Sequence, residues 1–172
     1  MIEGVLHHCT AMQVDRNYVD THGQSEVAFA FCHLLGFQLM PRFKNLHAQK
    51  LSLPDKKLTA KLDNLKWILQ DVIDWDQIEQ EYDEMVKYAT ALRIGTAETE
   101  AILQRFTRNN HQHPTFKAFS ELGRVIKTIF LCNYLMNEEV RIEIHEGLNV
   151  GVFAYSLEKP HSNCETDQSS LR

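Results

Sequence analysis

The sequence has few features that would cross-link the chain or anchor it in a membrane. Its four cysteines, Cys9, Cys32, Cys132 and Cys164, are widely spaced and form no C-x-x-C pair, which is typical of reduced thiols in the cytoplasm. No stretch is apolar over the length needed to cross a bilayer. The first ten residues, MIEGVLHHCT, lack the basic region and apolar core of a signal peptide. We therefore expect a cytoplasmic protein that is not inserted in a membrane.

The signatures of several common enzyme classes are also missing. There is no Gly-rich phosphate loop and no G-x-S-x-G nucleophile motif. The histidines and cysteines that lie close together do not have the paired spacing of a structural zinc site. Those clusters are His7, His8 and Cys9, then Cys32 and His33, and finally His111 and His113. We interpret the histidines in these clusters as ordinary surface residues.

What the sequence does contain suits one globular domain of ordinary size. It has 172 residues, of which 44% are hydrophobic and 24% charged, so it can bury a substantial core. The formal net charge of -5 gives no general reason to expect a nucleic-acid partner.

Hydrophobic periodicity predicts a strand, a buried helix and a second strand in the first quarter of the chain. Residues 13–20 alternate weakly between apolar and polar, as a short strand does. A helix over 25–35 would begin at the N-cap Ser25 and end at Gly36. This helix is apolar on nearly every side, so it belongs in the core. Residues 37–41 predict a second short strand that Pro41 ends.

Later segments have mainly helical spacing. Apolar residues recur at three- and four-residue steps from Trp75 until Gly95, and Thr96 could cap a following helix. Helical spacing resumes at Pro114 and extends to about Val140. Beyond Gly151 no sustained period remains, so we expect residues 151–172 to form a disordered tail. The fold class predicted is mostly α with a few short strands, an α+β protein.

Charge is separated along the chain more strongly than the net value suggests. From Arg42 to Lys66 there are seven basic and two acidic residues, a balance of 7 − 2 = +5, whereas residues 71–84 hold seven acids and no Lys or Arg. Such runs usually mark a solvated loop and a solvated helix face. The alternative is a basic loop that contacts phosphates. Arg105 and Arg108, near a turn at 109–114, allow the same two interpretations.

Asp20 stands at the end of the first predicted strand. Acids at strand ends often bind Mg²⁺. Two such ions about 3.5–4 Å apart can stabilise the attacking oxygen and the leaving oxygen of a phosphoryl transfer. One aspartate cannot hold two ions. On the local pattern alone, Asp20 in DTHG is more often a turn or cap residue.

Several stretches of the sequence, in the same order, resemble one protein family. They are IEGVLHHCTAMQVDRNYVDTHGQSEVAFAFCHLLGF, LMPR, YDEMVKYATALRIGTAETEAILQRFTRNN, HPTFKAF, ELGRVIKTIFLCNYL and EGLNV. Over roughly residues 2–150 the chain resembles the C-terminal catalytic region of the large replicative transposases of the Tn-three family.

The resemblance implies a ribonuclease-H-like DDE core in a bacterial protein. Two aspartates and one glutamate would hold two Mg²⁺ ions for nicking and transfer of DNA strands at transposon ends. Asp20 falls at the family's second aspartate, which makes it a catalytic and metal-binding candidate. Residues 1–150 would be a partial catalytic domain, with a largely helical insertion over about 42–141. The partners that the resemblance implies are DNA and a full-length transposase.

The sequence departs from the family pattern in two places. The first aspartate of the family would lie upstream of Met1. The third acid is expected near Val152, and Glu158 lies in sequence that does not match. We therefore expect a fragment, truncated at both ends, that is inactive alone.

Two alternatives remain at this stage. One is a non-catalytic remnant that binds DNA or a transposase, and the other is an unrelated helical interaction protein. For DNA contact the predicted residues are Arg42, Lys44, Lys50, Lys56 and Lys57, with Arg105 and Arg108 assisting.

Overall fold

The structure, a computed structural model, describes residues 15–20, 24–96 and 113–157, with side chains as far as Asn149. Within these ranges the strands are β1 (Arg16–Val19), β2 (Gln38–Pro41), β3 (Leu51–Leu53) and β4 (Leu69–Val72). The helices are α1 (Glu26–Leu34), α2 (Trp75–Arg93), α3 (Pro114–Met136) and α4 (Glu138–Leu157). None of these helices has the length and hydrophobicity needed to span a membrane. The predicted class, mostly helical α+β, is confirmed.

The first unit is a strand–helix–strand arrangement in which β1 and β2 pair in parallel. The Ser25 hydroxyl caps α1 by accepting a hydrogen bond from the Ala28 amide at 3.2 Å. The helix ends at Leu34, and Gly36 follows in the turn with a φ of 87° that suits glycine, while the Phe37 amide bonds back to the Cys32 carbonyl at 3.0 Å. The strand pair and the helix predicted from periodicity are therefore confirmed.

Helix α1 lies in the core. Phe29 and Phe31 are 1% and 0% exposed, as its apolar composition predicts. The Phe31 ring stacks on Phe119 of α3 with centroids 4.2 Å apart. The two helices approach so closely that a Cβ on Gly123 would lie 1.9 Å from the Glu26 carbonyl oxygen. Glycine is thus required where α3 crosses the start of α1.

A second parallel pair joins β3, which lies in the basic stretch 42–66, to β4, which follows that stretch. Short 3₁₀ turns at Lys56–Leu58 and Asp63–Leu65 connect the two strands. Helix α3 holds this pair: Arg124 donates to the Ser52 hydroxyl at 3.1 Å and to the Asp71 carbonyl at 2.8 Å. The expected helical insertion at 42–141 therefore also contains strands. They escape prediction because the bonds that hold them, such as those that join Ser52 to Thr128 and Arg124, connect residues far apart in the sequence.

Helix α2 begins where periodicity predicts. Asp74 caps it by accepting a hydrogen bond from the Gln77 amide at 3.0 Å. It ends at Arg93, and Gly95 follows in the turn with a φ of 67°, while the Thr96 amide bonds to the Ala91 carbonyl at 3.1 Å. The further helix expected after Thr96 lies outside the described residues.

The helical run from Pro114 is interrupted once. Asn137 adopts an extended conformation between α3 and α4, and Arg141 donates to the carbonyls of Tyr134, Leu135 and Asn137. These bonds satisfy carbonyls that the end of α3 leaves without helical partners. Helix α4 then continues to Leu157, past Gly151, where the sequence pattern becomes irregular. The tail from residue 158 onward lies outside the described residues.

Candidate functional site

Asp20 directly follows β1, and two basic residues that follow β2 approach its carboxylate. Lys44 Nζ donates to Asp20 Oδ2 at 3.3 Å, and Arg42 Nη2 lies 3.8 Å from Oδ1. Because β1 and β2 are parallel, their carboxyl ends meet at one edge of the sheet. All three side chains remain substantially exposed. The structure thus brings the predicted catalytic acid together with two of the residues predicted to contact DNA.

Helix α4 packs on the face of β1 that carries Arg16 and Tyr18. Side chains alternate along a strand, and Asp20 follows Tyr18 by two residues, just after the strand ends. The Tyr18 hydroxyl donates to Glu143 Oε1 at 2.5 Å, and Arg16 forms an ion pair with the same carboxylate. A Cβ on Gly147 would lie 2.7 Å from the Tyr18 ring, so α4 touches the strand one turn further along.

The hydrogen bonds at Glu143 shift the pKa of the groups involved. The pKa of the Glu143 carboxyl is lowered, chiefly by the hydrogen bond from Tyr18 and next by the hydrogen bond from Arg16. Burial, and then the bond to Glu143, raises the pKa of the Tyr18 phenol. Glu143 is therefore held as a carboxylate that fastens α4 to β1.

The described residues do not by themselves fit a centre with two metal ions. Such a centre requires several carboxylates, which balance the charge and fix the geometry of both ions. In the part of the chain that the structure describes, no three His, Cys, Asp or Glu side chains are grouped so that they could hold a metal ion. Asp20 also has two cationic neighbours. Glu146 is exposed on α4, and Glu158 lies outside the described residues.

The other predicted DNA contacts lie on the β3–β4 pair rather than beside Asp20. Lys50 precedes β3, and its ammonium group donates to the Trp67 carbonyl at 2.6 Å. Lys56 and Lys57 are exposed in the 3₁₀ turn that follows β3. Arg105 and Arg108 lie outside the described residues. The basic segment therefore divides between two places, the end of β2 and the second sheet.

Sequence reasoning did not identify the residues that position the strand carrying Asp20. Tyr18 lies in β1, whereas Glu143 and Gly147 lie in α4, more than one hundred residues further along the chain. The local signal was only that Gly147 lies inside EGLNV, one of the stretches that resemble the family.

Comparison with known proteins identifies the family. Residues 1–159 match the family model of the Tn3 transposase DDE domain. The transposase for transposon Tn1546 of Enterococcus faecium is 34% identical over 151 residues, and that for transposon Tn3926 of Escherichia coli is 34% identical over 152 residues. Each alignment covers 88% of this chain and 15% of the relative.

The chain thus spans about 15% of the length of the curated relatives that it matches. No solved structure matches it. The family model matches almost the whole chain, and both of these relatives are transposases. This chain therefore belongs to the Tn3 transposase DDE domain family.

Proposed function

We propose that this chain is part of the catalytic domain of a DDE transposase that acts in replicative transposition. The complete enzyme would nick DNA strands at transposon ends and transfer them to target DNA, with Asp20 as one of its catalytic acids. The observation that carries the proposal is the position of Asp20, an exposed carboxylate at the carboxyl end of a parallel strand. Because bacterial DNA lies in the cytoplasm, the proposal places the chain there.

The packing of α4 supports this assignment. Glu143 contacts Arg16 and Tyr18, and Gly147 lies against Tyr18, so the helix follows the strand toward Asp20. A helix rises about 1.5 Å per residue, so residues 151–152 lie about 6–7.5 Å beyond Gly147. Asp20 lies about 6.6 Å beyond Tyr18 along the strand. The backbone near Val152, where the family's third acid is expected, would thus come level with Asp20.

The same packing is compatible with one part of a ribonuclease-H-like core. Parallel strands are normally covered on both faces and belong to larger sheets. Here β1 and β2 are joined through α1, and α4 covers β1. We propose that further strands of the core come from the longer transposase.

A DDE domain implies a divalent metal in general, and we propose Mg²⁺ with Asp20 as one ligand. When bound, the metal would stabilise charge on the oxygens of the phosphoryl transfer. A single carboxylate is insufficient for such a centre, so the other acids must lie outside the described residues. We expect the 172-residue chain to be inactive by itself.

A nicking assay tests the catalytic part of the proposal. The purified chain and its Asp20→Ala variant would be incubated with transposon-end DNA and Mg²⁺ or Mn²⁺, and we expect no cleavage by either. Cleavage by the parent that is abolished in the variant would show that another acid completes the site, and the chain would not be inactive alone. In a longer transposase containing this region, Asp20→Asn should abolish strand transfer. Retained transfer there would refute the role of Asp20.

DNA is the partner that the family implies, and we propose that Lys50, Lys56 and Lys57 contact its phosphates. Arg42 and Lys44 would contact phosphate near Asp20, although their ion pairs with that carboxylate reduce the charge they present. Arg105 and Arg108 are proposed to assist. A non-catalytic remnant that binds DNA or a transposase is not favoured by the comparisons.

Salt dependence tests these contacts. Affinity for DNA falls as the salt concentration rises. Removing a side chain that neutralises one phosphate should make the plot of log affinity against log salt concentration less steep, by about one in slope. We therefore expect glutamine at Lys50, Lys56 and Lys57 to weaken duplex binding and flatten the slope. Glutamine at Lys87 and Arg93, which are exposed on α2, is the control. If affinity and slope are the same in the first variant as in the parent, the basic segment is only a solvated surface.

A further inference from the structure

Trp67 presents an unusually large aromatic surface to solvent. It lies in the turn before β4 and is 62% exposed, and Leu65 beside it is 39% exposed. Its backbone is nevertheless fixed, since its carbonyl accepts the bond from Lys50 and the next carbonyl, that of Ile68, accepts from the Leu51 amide at 2.9 Å. A rigid backbone thus presents an indole ring that the described core does not cover.

The second tryptophan provides a contrast. Trp75, at the start of α2, is also partly exposed, but its indole Nε1 donates to the Pro54 carbonyl at 3.0 Å. That bond fastens α2 to the end of β3. Among the described residues, the Trp67 indole donates no comparable hydrogen bond. The exposure of Trp75 therefore accompanies a structural role, whereas that of Trp67 does not.

The segment of the sequence that contains Trp67 is basic. Residues 50–68 hold five lysines and two acids, a balance of 5 − 2 = +3. The two acids already have partners, since Asp63 pairs with Lys66 and Asp55 accepts a bond from the Lys57 amide. An apolar protein surface would gain little from this excess of positive charge, whereas a polyanion would be attracted by it. The five lysines are Lys50, Lys56, Lys57, Lys61 and Lys66.

We propose that Trp67 stacks against an unpaired base of single-stranded DNA whose phosphates lie along these lysines. An exposed aromatic ring beside a basic surface is the combination by which proteins bind single strands without reading sequence. In a duplex the base faces are occupied by their neighbours, so the ring distinguishes unpaired from paired DNA. The inference rests on the proposed function, which makes DNA the partner, and adds the form of DNA that this surface binds.

The test compares two probes that differ only in their bases. An oligothymidylate of about 15 nucleotides carries bases and phosphates, whereas an abasic oligomer of equal length carries phosphates alone. In a Trp75→Phe background, Trp67 is the remaining tryptophan, so its fluorescence reports stacking directly. We expect oligothymidylate to quench this fluorescence and to bind at least about fivefold more tightly than the abasic oligomer.

Variants of Trp67 complete the experiment. Trp67→Ala should abolish the preference for oligothymidylate and leave the salt slope unchanged, while Trp67→Phe should keep part of the preference. Trp75→Ala, the matched control, should keep all of it.

Equal binding of both oligomers by the parent would overturn the stacking role without affecting the proposed DNA partner. Self-association that depends on Trp67, with equal binding of the oligomers, would identify a protein interface and overturn it too. Failure of the parent to bind either oligomer at low salt, while it still binds duplex DNA, would overturn the stacking role alone. Failure to bind duplex DNA as well would overturn both proposals.

Discussion

Gly147 of α4 lies against the ring of Tyr18 in β1, so closely that a Cβ at position 147 would be 2.7 Å from two ring carbons. This contact, and the bond from the Tyr18 hydroxyl to Glu143 one turn earlier, fix the path of α4 along the strand that ends at Asp20. The candidate site thus depends on a close approach that only glycine permits.

Substituting Gly147 by alanine should therefore loosen α4 from β1. The added methyl group must displace the Tyr18 ring, and such overpacking costs about 1–3 kcal/mol. Urea unfolding would measure the change as a lower midpoint. Glu146→Ala, an exposed change on the same helix, is the control and should stay within about 0.5 kcal/mol of the parent. Equal stabilities for the parent and Gly147→Ala would mean that α4 does not pack on the strand as described.

Gly123→Ala should be more damaging. Here the new Cβ would lie 1.9 Å from the Glu26 carbonyl oxygen, a backbone atom that cannot rotate aside. Helices α1 and α3 would have to separate across the main core, at a cost of about 3 kcal/mol. Thermal or urea unfolding measures it, with Lys117→Ala on the same helix as control. A decrease no larger than the control's would contradict the close crossing.

Acidification should weaken the attachment of α4 through Glu143. Its pKa is lowered in the folded state by Tyr18 and Arg16, so the folded chain binds this proton less readily than the unfolded chain. The resulting stability is present above the ordinary pKa of 4.5 and is lost as pH falls through the folded value. The parent should therefore exceed Glu143→Gln in free energy of unfolding at about pH 7, and the difference should shrink as the pH is lowered below 4.5. Glu146→Gln is the matched control. A difference independent of pH would refute the role of the carboxylate charge.

Cys32 should react with thiol reagents only when the core opens. It is 1% exposed in α1, and burial raises the pKa of its thiol to about 12. In a variant with serine at Cys9, Cys132 and Cys164, labelling of Cys32 should follow global unfolding as urea is increased. The parent should label faster in its native state because Cys132 is exposed. Rapid native-state labelling of Cys32 in the triple variant would show that α1 is not a core helix.

Local signals determined the first part of the fold. Ser25 and Gly36 mark the ends of α1 because capping bonds and a positive φ involve only neighbouring residues. The all-apolar composition of the helix predicted its burial, and Pro114 marked the start of α3. Asp20 was found as a candidate from family resemblance, since one acid after a strand is not specific chemistry.

Other features depended on contacts between distant segments. Strands β3 and β4 form because they pair with each other and bond to Arg124 and Thr128 of α3, which lie more than fifty residues away in the sequence. The break at Asn137 likewise requires the bonds from Arg141 to the end of α3.

The sequence by itself determined the helical class, the buried α1 and the separation of charge along the chain, because side-chain periodicity and composition are properties of neighbouring residues. Only the tertiary structure decided which charges meet. Arg42 and Lys44 reach Asp20 because a parallel strand pair brings two carboxyl ends to one edge. Gly147 meets Tyr18 because α4 folds back onto β1. Contacts of this kind depend on how whole elements pack, and no local pattern records that packing.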